Sequence, residues 1–353
     1  MTEPPAAPGL DVQGLDRWLT RRHPALAGDG PLRAALIDGG RSNLTYRVDG
    51  AAVPLVLRRP PLGHVLSTAH DMRREHRVVS ALHGIVPVPP TVDLVDDTEA
   101  NEVTGTDFFL MEHVAGQVLS RPEQNGRWTP AGLRRLGLEL AEVLAELHAV
   151  DPETVGLGDF GRPRGYLDRQ MRTWRRQYDA SRSRELPALD ALQERLARSV
   201  PESGARSGIV HGDYRLDNLI VAGDPDAPRV AAVLDWEMAT LGDPLVDLGM
   251  LGMYWHIRDL PGGEAASGAV VPEAGYPAFA ELADAYAARA GTAVPDLSWY
   301  RAFACYKLAV ILEGIHYRYT GGQTVGEGFD TIGDLVTPLA DEGLARASAG
   351  KDT

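Results

Sequence analysis

Residues 209–221 read IVHGDYRLDNLIV, two short apolar segments that enclose a densely polar centre. The apolar ends are typical of short buried strands. The centre contains five polar or charged residues: His211, Asp213, Arg215, Asp217 and Asn218. Charged side chains beside buried strand ends cost free energy unless another group pairs with them or a reaction uses them. The stretch is therefore either a crowded polar turn or a loop that carries chemistry.

Another acidic residue follows a short distance along the chain. Asp235 lies at the end of an apolar strand in the segment VAAVLDW, seventeen residues after Asn218. Oxygen-bearing side chains at strand ends suit a magnesium ion whose coordination is completed by water and substrate phosphates. Asn218 and Asp235 are the candidate metal ligands. Asp213 is then available to orient a substrate hydroxyl and to accept its proton.

The length and the hydrophobic pattern predict two lobes. The chain has 353 residues, of which 44% are hydrophobic and 24% are charged, enough for a large core. The first part predicts five short strands: LRAALID, LTYRVD, PLVLRR, TVDLVD and TDFFLMEHV. Long helices follow, one of them over 166–181. We expect an α+β fold with a β-rich lobe at 1–113, a helical lobe at 114–353 and a ligand cleft at their junction.

Charge and cysteine content restrict the partners and the compartment. The net charge of −14 argues against binding to nucleic acid or to an anionic membrane. The single cysteine, Cys305, lies in the apolar run FACYKLAVIL and is expected to be a buried small hydrophobe. We see neither a signal peptide nor an apolar run of membrane-spanning length, so we expect a cytoplasmic protein without a membrane partner.

A glycine-rich turn, DGGRSN, lies between the first two predicted strands. This context excludes both the P-loop and the dinucleotide-binding fingerprint, which precede a helix. The glycine pair, Gly39 and Gly40, permits the backbone amides of Ser42 and Asn43 to approach a polyphosphate closely. The alternative is an ordinary hairpin turn.

An acidic residue lies on the inward face of the helix that follows the third strand. Glu75 falls among the apolar residues Met72, Val79 and Leu82. A buried carboxylate requires a cation, and Arg58 at the end of the third strand is the candidate. The alternative is that Glu75 reaches solvent.

The combination of HGDYRLDN with LDWEMATLGDPLVDLG resembles the aminoglycoside phosphotransferase and choline kinase-like family of the protein-kinase-like fold. The resemblance extends from about Leu36 to the end of the chain. The sequence of these motifs is most similar to that of the branch found fused or adjacent to acyl-CoA dehydrogenases. The resemblance implies a bilobal fold, an ATP- and magnesium-dependent phosphotransferase activity on a small-molecule hydroxyl, and a functional link to acyl-CoA metabolism.

The resemblance also implies roles for residues of the helical lobe. Asp213 matches the catalytic base, and His211 matches the loop residue that supports it. Asn218 and Asp235 match the magnesium ligands. Asp247 matches an acid that braces the catalytic loop from below.

In the β-rich lobe the resemblance implies an ATP site. Val56 and Arg58 lie on the strand whose last residue, usually Lys, holds the phosphates and pairs with the helix glutamate, here Glu75. The Glu112 carbonyl and the Val114 amide match the hinge that meets adenine. Arg58 departs from the family pattern, and this exchange is not conservative because Arg and Lys differ in bulk and geometry.

The phosphate acceptor is left open by the sequence. The segment from Arg162 to Arg184, both ends included, contains eight arginines and two aspartates. Arg169, Arg172 and Arg176 recur on one helical stripe, which is either a solvated surface or an acceptor surface for an anion such as a hydroxyacyl-CoA.

Three other functions are compatible with parts of the sequence. The first is an aminoglycoside-type antibiotic kinase. The second is a nucleotide-binding pseudokinase with a regulatory role, which only Arg58 supports. The third is a metal hydrolase with His211, Asp213, Asp235 and His256, which explains neither the hinge nor Glu75.

Overall fold

The structure is a computed structural model of the 353-residue chain. It describes residues 7–37, 43–62, 71–202, 207–265, 268–322 and 331–349. The chain divides into two compact units. The first comprises Met1–Ala115 together with Ala232–Glu237, and the second comprises Gly116–Ala231 together with Met238–Thr353. Asp235 and Glu237 therefore belong to the same unit as Arg58 and Glu75.

The first unit is built on one antiparallel sheet. Its elements are α1 Val12–Arg22, β1 Arg33–Leu36, β2 Leu44–Asp49, β3 Leu55–Arg59, α2 Met72–Leu82, β4 Thr91–Val95 and β5 Phe108–Glu112. The strand order is β1-β2-β3-β5-β4. The register of β2 and β3 places Thr45 opposite Arg58. All five predicted strands of this part of the chain are confirmed.

The two helices of this unit are amphipathic. The helix α1 buries Leu15, Trp18 and Leu19, and Trp18 meets the edge of Phe108 at a ring-centroid distance of 6.0 Å. The helix α2 begins at Met72, and its N-cap is Asp71, whose carboxylate accepts a hydrogen bond of 3.0 Å from the Arg74 amide. In the sequence, Ser67 is a second possible N-cap residue for this helix, and it lies outside the described part of the chain. Aspartate is an equally good N-cap residue, so the hydrophobic pattern alone does not choose between the two positions.

The second unit is mainly helical. Its strands are β6 Gln117–Val118, β7 Gly208–Val210, β8 Leu219–Asp224, β9 Ala227–Val233 and β10 Thr240–Gly242. Its helices are α3 Pro130–Ala149, α4 Tyr166–Ser181, α5 Pro187–Arg198, α6 Leu245–Trp255, α7 Phe279–Ala290, α8 Ser298–Thr320 and α9 Val336–Ala349. The strands form two small sheets, β10-β7 and β6-β8-β9, and the last two residues of β9 belong to the first unit. The predicted helix over 166–181 and the α+β class are both confirmed.

Two details differ from the sequence prediction. The strand β10 lies within the lobe that was expected to be helical, because three residues are too few for a hydrophobic period to become visible. The strand β9 ends at Val233, so that Asp235 lies two residues beyond the strand instead of at its end.

The core of the second unit contains the single cysteine. Cys305 on α8 is 2% exposed, and burial raises the pKa of its thiol to about 12. The expectation of a buried small hydrophobe is confirmed. No helix in the described part of the chain is both long and apolar enough to cross a membrane.

Candidate active site

The loop after β7 is held by a buried carboxylate. Asp247, in the first turn of α6, is 0% exposed. Its Oδ2 accepts the backbone N–H of His211 at 2.7 Å and lies 3.2 Å from Nε2 of His148, and its Oδ1 accepts the N–H of Gly212 at 2.8 Å. Burial alone would raise the pKa of Asp247, but these hydrogen bonds and the nearby histidines hold it below its ordinary value. The carboxylate therefore fixes two consecutive peptides of the loop.

Gly212 is required by the backbone of this loop. Its φ of +90° lies in the region that side-chain-bearing residues rarely adopt. A Cβ at this position would lie 2.8 Å from both the Cβ and the carbonyl oxygen of Met238. The close approach of two chain segments explains the glycine in the HGD sequence.

Asp213 and Asn218 meet through a tight turn. The Nδ2 of Asn218 donates to the backbone oxygen of Asp213 at 2.9 Å and to its Oδ2 at 3.0 Å. This orientation uses the amide nitrogen and leaves the amide oxygen of Asn218 to face another partner. The Asp213 side chain is 23% exposed, so a substrate can reach its carboxylate.

Two further side chains of the loop stabilise Asp213. His211 is 0% exposed, and its Nδ1 accepts the backbone N–H of Asp213 at 3.2 Å. Arg215 lies with its Nε 3.5 Å from Oδ2 of Asp213 and with its guanidinium 4.7 Å from the ring centroid of Tyr254. The described geometry thus brings His211, Asp213 and Asn218 together in one loop.

In the first unit, one guanidinium bridges two carboxylates. The Nε of Arg58 lies 3.0 Å from Oε2 of Glu75, and its Nη2 lies 2.6 Å from Oδ1 of Asp235. A weaker contact of 3.4 Å joins Nη1 to Oγ1 of Thr45 on the neighbouring strand. We call Arg58, Glu75 and Asp235 the arginine bridge. Glu75 is 3% exposed, so the alternative in which it reaches solvent is excluded.

Burial and attraction oppose each other in the arginine bridge. Burial lowers the pKa of Arg58, but the carboxylates of Glu75, Asp235 and Glu237 outweigh it, so the pKa rises above its ordinary value. Burial raises the pKa of Glu75, and the attraction of Arg58 offsets only part of this effect. The guanidinium therefore stays charged and compensates the buried glutamate.

The segment that carries Asp235 has an unusual backbone. Asp235 has a φ of +64°, a conformation that is uncommon for residues other than glycine and that recurs at functional sites. Glu237, two residues later, accepts a hydrogen bond of 3.1 Å from Nδ2 of Asn43, which is 2% exposed. The Asp-Trp-Glu sequence thus contacts both the arginine bridge and the end of the glycine-rich turn.

The remaining predicted nucleotide contacts are only partly described. Val56 is buried against Met72, Phe109 and Met111. Glu112 ends β5, and within the described residues the Val114 amide that follows donates no backbone hydrogen bond. Gly40 and Ser42 lie outside the described residues, so the structure gives no account of them.

The two predicted metal ligands belong to different units, Asn218 to the second and Asp235 to the first. The amide oxygen of Asn218 and the second carboxylate oxygen of Asp235 are the kind of ligand that magnesium prefers. Among the described residues, no group of three or more His, Cys, Asp or Glu side chains is placed to hold a metal. His256, one of the residues of the hydrolase alternative, lies with its Nδ1 3.2 Å from Oδ2 of Asp259.

Sequence reasoning missed two residues near the loop. His148 contacts Asp247 from α3, and Lys307 on α8 donates from its Nζ to the carbonyl oxygen of Gly212. Only Lys307 leaves a signal in the sequence, because it is a charged residue in the middle of the apolar run FACYKLAVIL.

Comparison with known proteins places the chain in a family. Residues 33–303 match the phosphotransferase enzyme family, designated APH. Acyl-CoA dehydrogenase family member 11 of Rattus norvegicus is 34% identical over 341 residues, which cover 95% of this chain and 43% of that protein. The protein of the same name from Gallus gallus is 35% identical over 347 residues, again 43% of its length. The chain thus spans less than half the length of these curated relatives.

Solved structures share the fold. A Ralstonia eutropha protein of known crystal structure, assigned to the aminoglycoside phosphotransferases, is 34% identical to this chain and has a TM-score of 0.81. The match covers 96% of this chain and 99% of the Ralstonia chain. A mutant of the aminoglycoside phosphotransferase APH(4)-Ia was solved in a ternary complex with AMP-PNP and hygromycin B. It has a TM-score of 0.59 at 18% identity, and the match covers 96% of this chain and 99% of the mutant's chain. The predicted protein-kinase-like fold and the predicted enzyme class, a small-molecule phosphotransferase, are confirmed. The chain belongs to the phosphotransferase enzyme family.

Proposed function

We propose that the chain transfers the γ-phosphate of ATP to a hydroxyl group of a small molecule, with Asp213 as the base. The observation that carries this proposal is the geometry of Asp213. Its backbone amide is bonded to His211 at 3.2 Å, its Oδ2 is bonded to Asn218 at 3.0 Å, and its carboxylate is accessible at the end of a braced loop. A carboxylate held in this way can orient a hydroxyl and accept its proton.

The proposed reaction balances as an in-line transfer. The acceptor oxygen forms a bond to the γ-phosphorus, the bond between the γ-phosphorus and the β,γ-bridging oxygen breaks, and ADP leaves. The hydroxyl proton passes to a carboxylate oxygen of Asp213. Asn218 keeps the carboxylate directed through its 3.0 Å hydrogen bond, so positioning is the main contribution of these residues.

Asn218 and Asp235 are the proposed magnesium ligands, through one amide oxygen and one carboxylate oxygen. Bound magnesium would neutralise negative charge on the phosphates. Arg58 already compensates the charge of Asp235 at 2.6 Å and is the proposed phosphate contact as well. The Glu112 carbonyl and the Val114 amide are the proposed adenine contacts.

We propose an anionic acceptor, such as a hydroxyacyl-CoA. The support comes from α4, which buries Leu167, Met171 and Trp174 and exposes Arg172 and Arg176 on another side. A basic surface attracts an anion and repels a polycationic aminoglycoside. Arg169 contributes less, because both of its terminal nitrogens donate to backbone carbonyls of the preceding loop.

The acceptor can be tested with matched substrate pairs. ADP release is measured with 3-hydroxybutyryl-CoA, with butyryl-CoA as the control that lacks the hydroxyl, and with an aminoglycoside panel. We expect magnesium-dependent turnover with the hydroxyacyl thioester only. Turnover of aminoglycosides without a response to CoA thioesters would contradict the anionic acceptor.

The same assay separates the phosphotransferase from a pseudokinase. The pseudokinase alternative is favoured by one observation, the contact that joins Arg58 to Asp235 at 2.6 Å and occupies a proposed metal ligand. Nucleotide binding without turnover on any acceptor, unchanged in Asp213→Ala, would support that alternative.

A further inference from the structure

Lys307 is a buried lysine beneath the loop that carries Asp213. It lies on α8 and is 4% exposed. Its Nζ donates to the carbonyl oxygen of Gly212 and lies 5.4 Å from the ring centroid of Trp174 on α4. Within the described residues, no carboxylate oxygen lies close enough to this ammonium, 4.0 Å or less, to form a salt bridge with it.

A lysine in this position is costly for the fold. Its neighbours Tyr306 and Leu308 are buried hydrophobic residues, and an unbranched apolar side chain would fill the same space without the cost of burying a charge. Burial lowers the pKa of Lys307, and only the more distant carboxylates of Asp213 and Asp247 oppose this effect. A charged residue that is buried without an oppositely charged partner departs from the usual rules of core packing, and such departures are expected at functional sites.

The contact of Lys307 controls a specific peptide. The peptide between Gly212 and Asp213 presents its carbonyl oxygen to Lys307 and its N–H to Nδ1 of His211 at 3.2 Å. The preceding peptide donates its N–H to Asp247 at 2.8 Å. Because both ends of the peptide are held, its rotation is fixed, and with it the direction in which the Asp213 side chain leaves the backbone.

We propose that Lys307 is a positioning residue for phosphoryl transfer, which acts by fixing the Gly212–Asp213 peptide and thereby the carboxylate of Asp213. This inference rests on the proposed function. Lys307, ninety-four positions after the base, would then help to align the acceptor hydroxyl. It would have no role in nucleotide binding.

Two substitutions and one control test the inference. Lys307→Met removes the ammonium and keeps an unbranched chain, whereas Lys307→Gln keeps a hydrogen-bond donor without the charge. Val310→Ala is the control, since Val310 is a buried residue of the same helix and its side chain can form no hydrogen bond. The measurements are kcat and KM, the Kd of a fluorescent ATP analogue, and the thermal midpoint, with 3-hydroxybutyryl-CoA or another acceptor active in the panel.

If Lys307 is a positioning residue, its replacement should lower kcat without weakening nucleotide binding or the stability of the fold. In Lys307→Met we expect kcat to fall about 100-fold, the size of effect that a misplaced reacting group produces. The KM for ATP and the Kd should stay within about threefold, because only the transition state loses an interaction. The thermal midpoint should change little, since removing the buried ammonium relieves a burial cost that offsets the lost hydrogen bond to Gly212. Lys307→Gln should lose about tenfold in kcat, and Val310→Ala should lower the thermal midpoint and keep kcat.

Each contrary result has a separate meaning. A kcat of Lys307→Met within threefold of wild type overturns the inference, and so does a loss of kcat that only parallels a loss of nucleotide binding and of folded protein. If Lys307→Met does not fold, a folded Lys307→Gln with wild-type kcat overturns it. Wild-type protein without turnover on any acceptor contradicts the proposed function itself, and the role of Lys307 falls with it.

Discussion

Replacing Asp247 by asparagine tests how strongly the candidate catalytic loop depends on one carboxylate. The two oxygens of Asp247 accept three hydrogen bonds, at 2.7, 2.8 and 3.2 Å. An amide has a single oxygen, so in the best orientation it keeps the two contacts of Oδ2 and turns its NH₂ toward the N–H of Gly212. One hydrogen bond to a charged group is lost, which costs about 1.5–3 kcal/mol. The other two become neutral and weaken by about 1 kcal/mol together.

The expected loss in the free energy of unfolding for Asp247→Asn is therefore about 2.5–4 kcal/mol, within the stability of a typical domain. Urea unfolding followed by circular dichroism measures it. Asp190→Asn is a matched control, because Asp190 forms an exposed pair of 2.7 Å with Arg182 and should lose at most about 1 kcal/mol. Turnover of Asp247→Asn should fall about 100-fold, because Gly212 and the adjacent base lose their support. A loss below 1 kcal/mol with unchanged turnover would refute the idea that Asp247 braces the loop.

Three further predictions concern charge. In Arg58→Lys, one ammonium replaces a guanidinium that contacts two carboxylates, so the free energy of unfolding should fall by about 2 kcal/mol in urea titrations; unchanged stability would show that the second contact is not needed. The pKa of Asp247 is lowered in the folded state, so its stabilisation is present above its unfolded pKa and is lost as pH falls through the folded pKa. Across this acid range, the free energy of unfolding should depend less steeply on pH in Asp247→Asn than in the wild type. An equal slope in the two proteins would argue against a lowered pKa of Asp247. Replacing Arg172 and Arg176 by serine should raise the KM for a hydroxyacyl-CoA about 3- to 10-fold at low salt, whereas the exposed Arg198→Ser should not, and equal effects of both changes would exclude an acceptor surface on α4.

The local structure of this chain follows from local sequence. Alternation in LTYRVD places Tyr46 and Val48 in the core, and the predicted strand is found as β2. Helical periodicity places the ends of α4 at Tyr166 and Ser181, as expected. These features depend on neighbours within a few residues, which a hydrophobic period records directly.

Contacts between distant residues are not recorded in that way. The pairing of Arg58 with Glu75 is suggested by an acidic residue on an apolar helix face, but the second contact, to Asp235, joins residues 177 positions apart. The left-handed backbone of Asp235 has no marker in the sequence, because aspartate carries a Cβ. The contact of Lys307 with Gly212 likewise arises from helix packing in three dimensions.

The roles of single atoms also require the structure. The HGD sequence indicates a functional loop, but it does not show that Asp247 holds two of its peptides or that Asn218 uses its nitrogen for Asp213. These contacts explain why the charged centre of residues 209–221 is stable beside buried strands, since its backbone and side chains are paired within the second unit.

Phosphoryl transfer by Asp213→Asn is the most direct test of the proposed base. The substitution keeps the shape of the side chain and removes its capacity to accept a proton. We predict that kcat falls by about 100- to 10,000-fold, while the Kd of a fluorescent ATP analogue in the presence of magnesium stays within about threefold. Turnover within tenfold of wild type would contradict the assignment of Asp213 as the base.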